Sequence, residues 1–147
     1  MKLIQKTSFE KIKKQIKENS DKEIIFSSDD DELNRKVLEK LSINVLLLNQ
    51  AGRKDFQKQR NSGFNQVLAK IAKKKKVAIG INLDEIINFH GKQKSNVLAR
   101  VQQNIKICNK NKLKMKFVSL SKINRNIYDL KALGLILGMP TFMAKTL

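Results

Sequence analysis

The sequence predicts an α/β protein with a mainly parallel sheet, and three observations carry that expectation. Short apolar runs rich in β-formers alternate with segments whose apolar residues recur at helical spacing, as in residues 23–26 (EIIF), 44–49 (NVLLLN) and 77–81 (VAIGI). The run at 44–49 is apolar through consecutive positions, which suits a strand covered on both faces. The intervening segments are of helix length and contain no long linker, so each can serve as a right-handed crossover between parallel strands.

Taken in order, residues 2–5 form a first short strand. Thr7 or Ser8 caps a helix with Phe9, Ile12 and Ile16 on one face. A turn at 19–21 leads to the strand at 23–26. The acidic run Asp29, Asp30, Asp31 and Glu32 then opens a helix marked by Leu33, Val37, Leu38 and Leu41. Consecutive carboxylates at a helix start point in different directions, so their expected role is to cap the helix and complement its dipole, ahead of a Mg²⁺ site.

After the strand at 44–49, residues 50–62 are polar and basic without periodicity, and read as a mobile loop on the active face. Phe64, Val67, Leu68 and Ile71 line the next helix, which the lysines 73–76 finish at the negative end of its dipole. The strand at 77–81 precedes a short helix at 84–89, a basic turn at 91–94 and an N-cap at Ser95. Val97, Leu98, Val101, Ile105 and Cys108 form the inner stripe of a longer helix, and 116–120 alternates as a strand. Asn126 starts the last substantial helix, with Ile127, Leu130, Leu133 and Leu137 inward and Gly138 and Pro140 ending it. Residues 141–147 add a final turn or short helix. About five strands result, in a single domain spanning 1–147.

Charge dominates the composition. Lys and Arg total 31 against 13 acidic residues, a formal net charge of +18, and a polyanionic partner would relieve that self-repulsion. Nucleic acid is the first candidate and an anionic membrane surface the second. No run approaches the ~18 apolar residues of a spanning helix, no secretory apolar region opens the chain, and one cysteine excludes an internal disulfide. A cytoplasmic protein without a membrane partner is expected. Seven Phe, one Tyr and no Trp give little support to stacking on an aromatic sheet, so phosphate contact and shape reading are the expected mode.

The candidate RNA-binding residues follow the basic and polar positions. Arg53, Lys54 and Arg60 lie in the loop; Ser62 and Asn65 lie at the turn before a helix, where free N–H groups suit a phosphate. Capping by Asn61 or Ser62 is the alternative use of that turn. Lys70, Lys73, Lys74 and Lys76 follow along the helix, then Arg100 and Lys106 off the stripe of the next long helix, and Arg125 and Lys131 at the last one. The loop and the lysine run sit at opposite ends of one helix, so two separated basic patches are expected. No catalytic or metal-binding residues are assigned. His90 is the one histidine, too few for a dinuclear site, and reads as a capping or surface residue. Cys108 falls on an apolar stripe and reads as a buried small hydrophobe.

Residues 60–83 (RNSGFNQVLAKIAKKKKVAIGINL) carry a family resemblance through Arg60, Ser62, Gly63, Asn65, the run VLAKIA and the strand VAIGINL. The helix VLARVQQNIKICNK at 97–110 and the ending RNIYDLKALGLILGM at 125–139 add to it. Together these motifs resemble archaeal ribonuclease P protein component 3, the relative of the eukaryotic thirty-kilodalton ribonuclease P subunit. The resemblance implies a TIM-barrel-like fold, shortened or incomplete here because five strands rather than eight are countable. It also implies a noncatalytic subunit that binds ribonuclease P RNA and supports removal of the 5′ leader from precursor tRNA. The implied partners are that RNA, precursor tRNA indirectly, and other protein subunits, especially a small α/β partner. No cofactor is expected on the protein, and the Mg²⁺ requirement falls to the RNA. The alternatives are a metal-dependent phosphoesterase of the same barrel class and a ribosomal or RNA-chaperone protein.

Overall fold

The computed structural model describes residues 1–5, 8–121 and 124–147. Its elements run β1 (Lys2–Ile4), α1 (Phe9–Glu18), β2 (Ile24–Ser27), α2 (Asp31–Lys40), β3 (Val45–Leu48), α3 (Gln66–Lys75), β4 (Ala78–Asn82), α4 (Leu83–Asn88), α5 (Gly91–Lys110), β5 (Met115–Val118), α6 (Ile127–Ile136) and α7 (Thr141–Ala144). Thr7, the alternative cap of the first helix, lies outside the described residues, and Ser8 holds the cap position without a side-chain hydrogen bond.

All four strand pairings are parallel and the sheet order is β1-β2-β3-β4-β5. That is the order of consecutive barrel strands, each joined to the next by a helical crossover. Right-handed crossovers in one direction place every helix on the same face of the sheet. Ile4, Ile24, Phe26, Leu46, Leu48, Ile79 and Met115 accordingly point into one large core with α1, α2, α3 and α5. The alternate residues Ile25, Val45, Leu47 and Val118 are buried on the other face, packed with Leu3 and Ala78. The consecutive apolar positions of β2 and β3 are thus buried on both sides, as their sequence required.

That inner face is concave. Lys116 on edge strand β5 pairs at 2.6 Å with Glu23, at the entry to β2, across two intervening strands. In a flat sheet three strand spacings are about 14 Å, and side chains standing off it would not converge. Gly80 permits the curl: a Cβ there would lie 3.1 Å from the Leu47 backbone and from the Val45 and Leu47 side chains. The sheet remains open, with β1 and β5 at its edges.

Local signals set most boundaries. Asp30 caps α2 by accepting from the N–H groups of Glu32 and Leu33, and Asp31 and Glu32 fill its first turn. Asn126 caps α6 through the Tyr128 N–H. Gly138, at φ +105°, ends α6: its N–H donates to Leu135 and that of Met139 to Gly134, the paired bonds of a Schellman turn.

Three expectations need correction. Ser95 is not an N-cap, because α5 already begins at Gly91 with His90 at the cap position. Its first turn is exposed, so no apolar periodicity reveals it. Val67 points outward and is 53% exposed, because α3 turns Leu68, Ala69 and Ala72 toward the sheet. On α6, Ile127 is exposed, Leu130 and Leu133 are half-buried, and of the expected inward residues only Leu137 is buried. This helix follows the last strand and packs chiefly on α7, with Gly134 receiving Met139 and Leu147, so it does not cover the sheet as a crossover does.

Candidate nucleic-acid interface

The upper rim of the sheet, at the carboxyl ends of the strands, is where parallel α/β folds place ligands. Here that rim carries amides and hydroxyls beside the carboxylates of Asp29 and Asp31. Asn49, just after β3, donates to the Ser27 hydroxyl at 3.2 Å, and Asn82 at the end of β4 donates to the Asn49 side-chain oxygen at 2.9 Å. The carboxylates nearby serve the protein's own loops. Asp84 accepts from the hydroxyls of Ser119 and Ser121 and from the N–H groups of Leu120 and Ser121. Desolvation pushes its pKa up, but those four bonds outweigh it and the net shift is downward. Glu85 accepts from the N–H groups of Gln50 and Ala51; burial raises its pKa against the pull of those bonds. Among the described residues no group of three or more His, Cys, Asp or Glu side chains is placed to hold a metal ion. The phosphoesterase alternative therefore finds no support at this rim. The turn residues Lys122 and Ile123 lie outside the described residues.

The 50–62 loop, expected to be mobile, is pinned. Arg100 is 4% exposed and donates to the Gln50 carbonyl at 2.9 Å, to the Arg53 carbonyl at 2.8 Å and to Asp55 at 3.0 Å. Gln50 donates to the Ser62 carbonyl, Gln103 to that of Arg60, and the Asn61 N–H to Asp55. The Asn61 N–H is the chief reason the Asp55 carboxyl is held below its ordinary range, with Arg100 adding to it. Arg53 is likewise committed. Its guanidinium makes a bidentate pair with Asp31, both bonds at 2.9 Å, and donates to the Asn49 carbonyl at 2.7 Å. Gly63, at φ +72°, lets that guanidinium lie against the backbone, since a Cβ would come within 2.5 Å of it.

Several candidate residues thus have a different place from the one expected. Arg100 does not stand off its helix stripe, and Arg53 is not a free loop cation. Ser62 is 1% exposed, and neither it nor Asn61 caps α3; Asn65 does, accepting from the Leu68 N–H at 2.9 Å. The signal for Arg100 was present in the sequence. Positions 97, 100, 101, 104, 105 and 108 form one helical stripe, and Asn104 on it is buried too. Lys54 and Arg60 remain exposed at this end, as does Arg125 before α6, while Lys131 on α6 is half-buried.

The opposite end carries the lysines. Lys73, Lys74 and Lys76 are exposed, with Lys70 and Lys106 exposed on the outer faces of α3 and α5. Lys76 and Lys112 hold left-handed backbone, at φ +57° and +56°. Both sit where a helix usually ends in glycine: the N–H of Val77 reaches back to Ala72, and that of Leu113 to Cys108. Lys73 donates to the Lys112 carbonyl at 2.9 Å and ties the two turns together. Around them lies a cleft of about 330 Å³ lined by Lys73, Lys76, Lys112 and Lys114 over Val77 and Leu113. Lys75 turns away, donating to the Glu39 and Leu41 carbonyls at the end of α2, and burial lowers its pKa. The ends are about 15 Å apart, the length of the ten-residue α3. Phe56 is a residue of these surfaces that charge does not single out in the sequence, and Lys112 and Lys114 are exposed cations outside the expected set.

No protein-family model matches the chain. It is similar to Ribonuclease P protein component 3 of Methanocaldococcus jannaschii, at 29% identity over 117 residues, covering 77% of this chain and 47% of that protein. The chain thus spans about half the length of the curated relative it matches. A chain in a cryo-EM structure of archaeal Ribonuclease P with mature tRNA shares its fold, with a TM-score of 0.80 at 24% identity over 98% of this chain and 62% of that one. The resemblance read from residues 60–83, 97–110 and 125–139 therefore has support in both sequence and architecture.

Proposed function

We propose that this chain is a noncatalytic protein subunit of a ribonuclease P, binding the catalytic RNA and supporting removal of the 5′ leader from precursor tRNA. The observation that carries this reading is a ribonuclease P-like fold whose exposed cations stand at both ends of one βα unit. In this reading the chemistry is assigned to the RNA, together with the Mg²⁺ requirement. The protein's contribution is electrostatic. Lys54, Arg60, Lys70, Lys73, Lys74, Lys76, Lys106 and Arg125 neutralise phosphates and hold an RNA fold that would otherwise repel itself. Ile127, Tyr128, Leu135, Ile136 and Phe142 are exposed together on α6 and α7 and form the surface for a protein subunit, the small α/β partner in this reading. The same reading places the chain in a cytoplasmic ribonucleoprotein. Among the described residues no helix is long and apolar enough to cross a membrane.

Affinity capture of the tagged chain tests the proposal. Ribonuclease P RNA and its protein subunits are expected to co-purify; recovery of ribosomes instead would favour the ribosomal or chaperone alternative. With about six phosphates neutralised, affinity for that RNA should fall by about 10³-fold between 50 and 200 mM salt. A salt-insensitive curve would reject the electrostatic mechanism.

A further inference from the structure

The pinned loop presents an aromatic ring that the fold itself does not bury. Asp55 is held by Arg100 and the Asn61 N–H, and Arg60 by Gln103 at its carbonyl. Between these anchors stand residues 56–59, and Phe56 at the start of that span is 62% exposed. Its ring is left in water by a loop that a buried arginine holds in place. Phe56 is also unlike Phe142 on α7, whose ring lies 4.9 Å from the Lys112 ammonium. It stands alone in a basic segment with Lys54, Lys58 and Arg60 as neighbours in sequence.

The ring lines a cleft of about 270 Å³ together with Arg35, Arg60, Gln59, Asn61 and Glu32. The cleft's other carboxylate, Asp31, is already satisfied by Arg53. Arg35 is paired with Glu39 at 2.8 Å and Arg60 with Asp55 at 3.8 Å. The cleft thus offers an aromatic face, side-chain amides, half-exposed guanidinium groups and the Glu32 carboxylate, which has no salt-bridge partner among the described residues. These are groups a single unstacked nucleobase can use. The base stacks on the aromatic face, its edge meets amide and carboxylate, and the flanking phosphates meet the cations. We infer that this cleft takes one unpaired base of an RNA strand, stacked on Phe56, with the adjoining phosphates on Lys54, Lys58 and Arg60. The inference rests on the RNA-binding reading above and adds a base-contacting element to an otherwise phosphate-directed surface.

The chain contains no tryptophan, so Phe56→Trp supplies a single fluorescent reporter at the site. Binding is measured with a short single-stranded oligoribonucleotide and with an abasic strand of the same length and charge. Saturable quenching by the base-bearing strand and little by the abasic strand is expected. Phe56→Ala should weaken binding of the base-bearing strand by about 5- to 100-fold and leave the abasic strand unaffected, with an unchanged melt because the ring is exposed. Equal affinity of Phe56→Ala and wild type for the base-bearing strand, or equal quenching by both strands, overturns the stacking site while leaving RNA binding intact. Failure of the wild-type chain to bind either strand overturns the RNA reading and this inference with it.

Discussion

The two ends of the α3 unit are both basic, yet they use their charge differently. At the upper rim two arginines face inward while Arg60 stays exposed: Arg100 holds two carbonyls and Asp55, and Arg53 holds Asp31 and the Asn49 carbonyl. At the lower end Lys75 turns inward but Lys73, Lys74, Lys76, Lys112 and Lys114 are exposed, and two of these, Lys76 and Lys112, occupy left-handed positions that glycine fills at lower cost. The difference follows from side-chain chemistry. A guanidinium is a planar fork with five donors, able to pin several acceptors of a loop at once, whereas an ammonium is a strongly hydrated point charge suited to mobile phosphate contact. A count of cations therefore overstates the exposed charge at the rim more than at the lower end, where Lys112 and Lys114 join the run and only Lys75 turns inward.

Four variants put that contrast to work, in descending order of expected effect. Arg100→Met removes the donors to two loop carbonyls and should destabilise the protein by about 2–3 kcal/mol. Thermal melting and amide exchange across residues 50–62 check it, and a wild-type melt with a protected loop would show that Arg100 is not the pin. Replacing Lys73, Lys74 and Lys76 together by Gln should leave the melt within about 0.5 kcal/mol of wild type. RNA affinity should drop about tenfold or more, and the salt slope should shrink by about one for each phosphate no longer neutralised. Unchanged affinity would move the RNA away from the lower end. The smallest effect has the opposite sign. Lys76→Gly and Lys112→Gly should each stabilise the fold by about 0.5–1 kcal/mol, because glycine reaches left-handed backbone without a Cβ clash. If RNA affinity falls in the same variants, those lysines are held in strained positions for their charge; a rise in stability with unaltered binding would make them bystanders.

The same contrast decides which rim residues can be replaced together. Substituting Arg53, Lys54 and Arg60 at once would confound binding with folding, since Arg53 is mostly buried in a bidentate pair while Lys54 and Arg60 are exposed. Lys54 and Arg60 alone make the cleaner test of the rim.

Much of the architecture was legible from residues alone. The uninterrupted apolar run of β3 announced a strand buried on both faces, the run before Ser27 announced β2, Asp30 and Asn126 announced helix starts, and Gly138 followed by Pro140 announced a stop. These are local effects, decided by side-chain reach, backbone freedom and the two periodicities of strand and helix. The curl of the sheet, the anchoring of residues 50–62 and the partners of the buried cations were decided only in three dimensions, although the place of Arg100 on its helix stripe was legible. Arg100 meets its partners Gln50, Arg53 and Asp55 across 45 to 50 residues of chain, and Lys116 meets Glu23 across 93. No local pattern encodes such pairings, because whether a charged side chain meets water or an acceptor depends on which distant backbone the fold brings beside it. The sequence by itself determined the strand–helix series and a strongly cationic molecule; tertiary packing decided which of those cations are available to a polyanion.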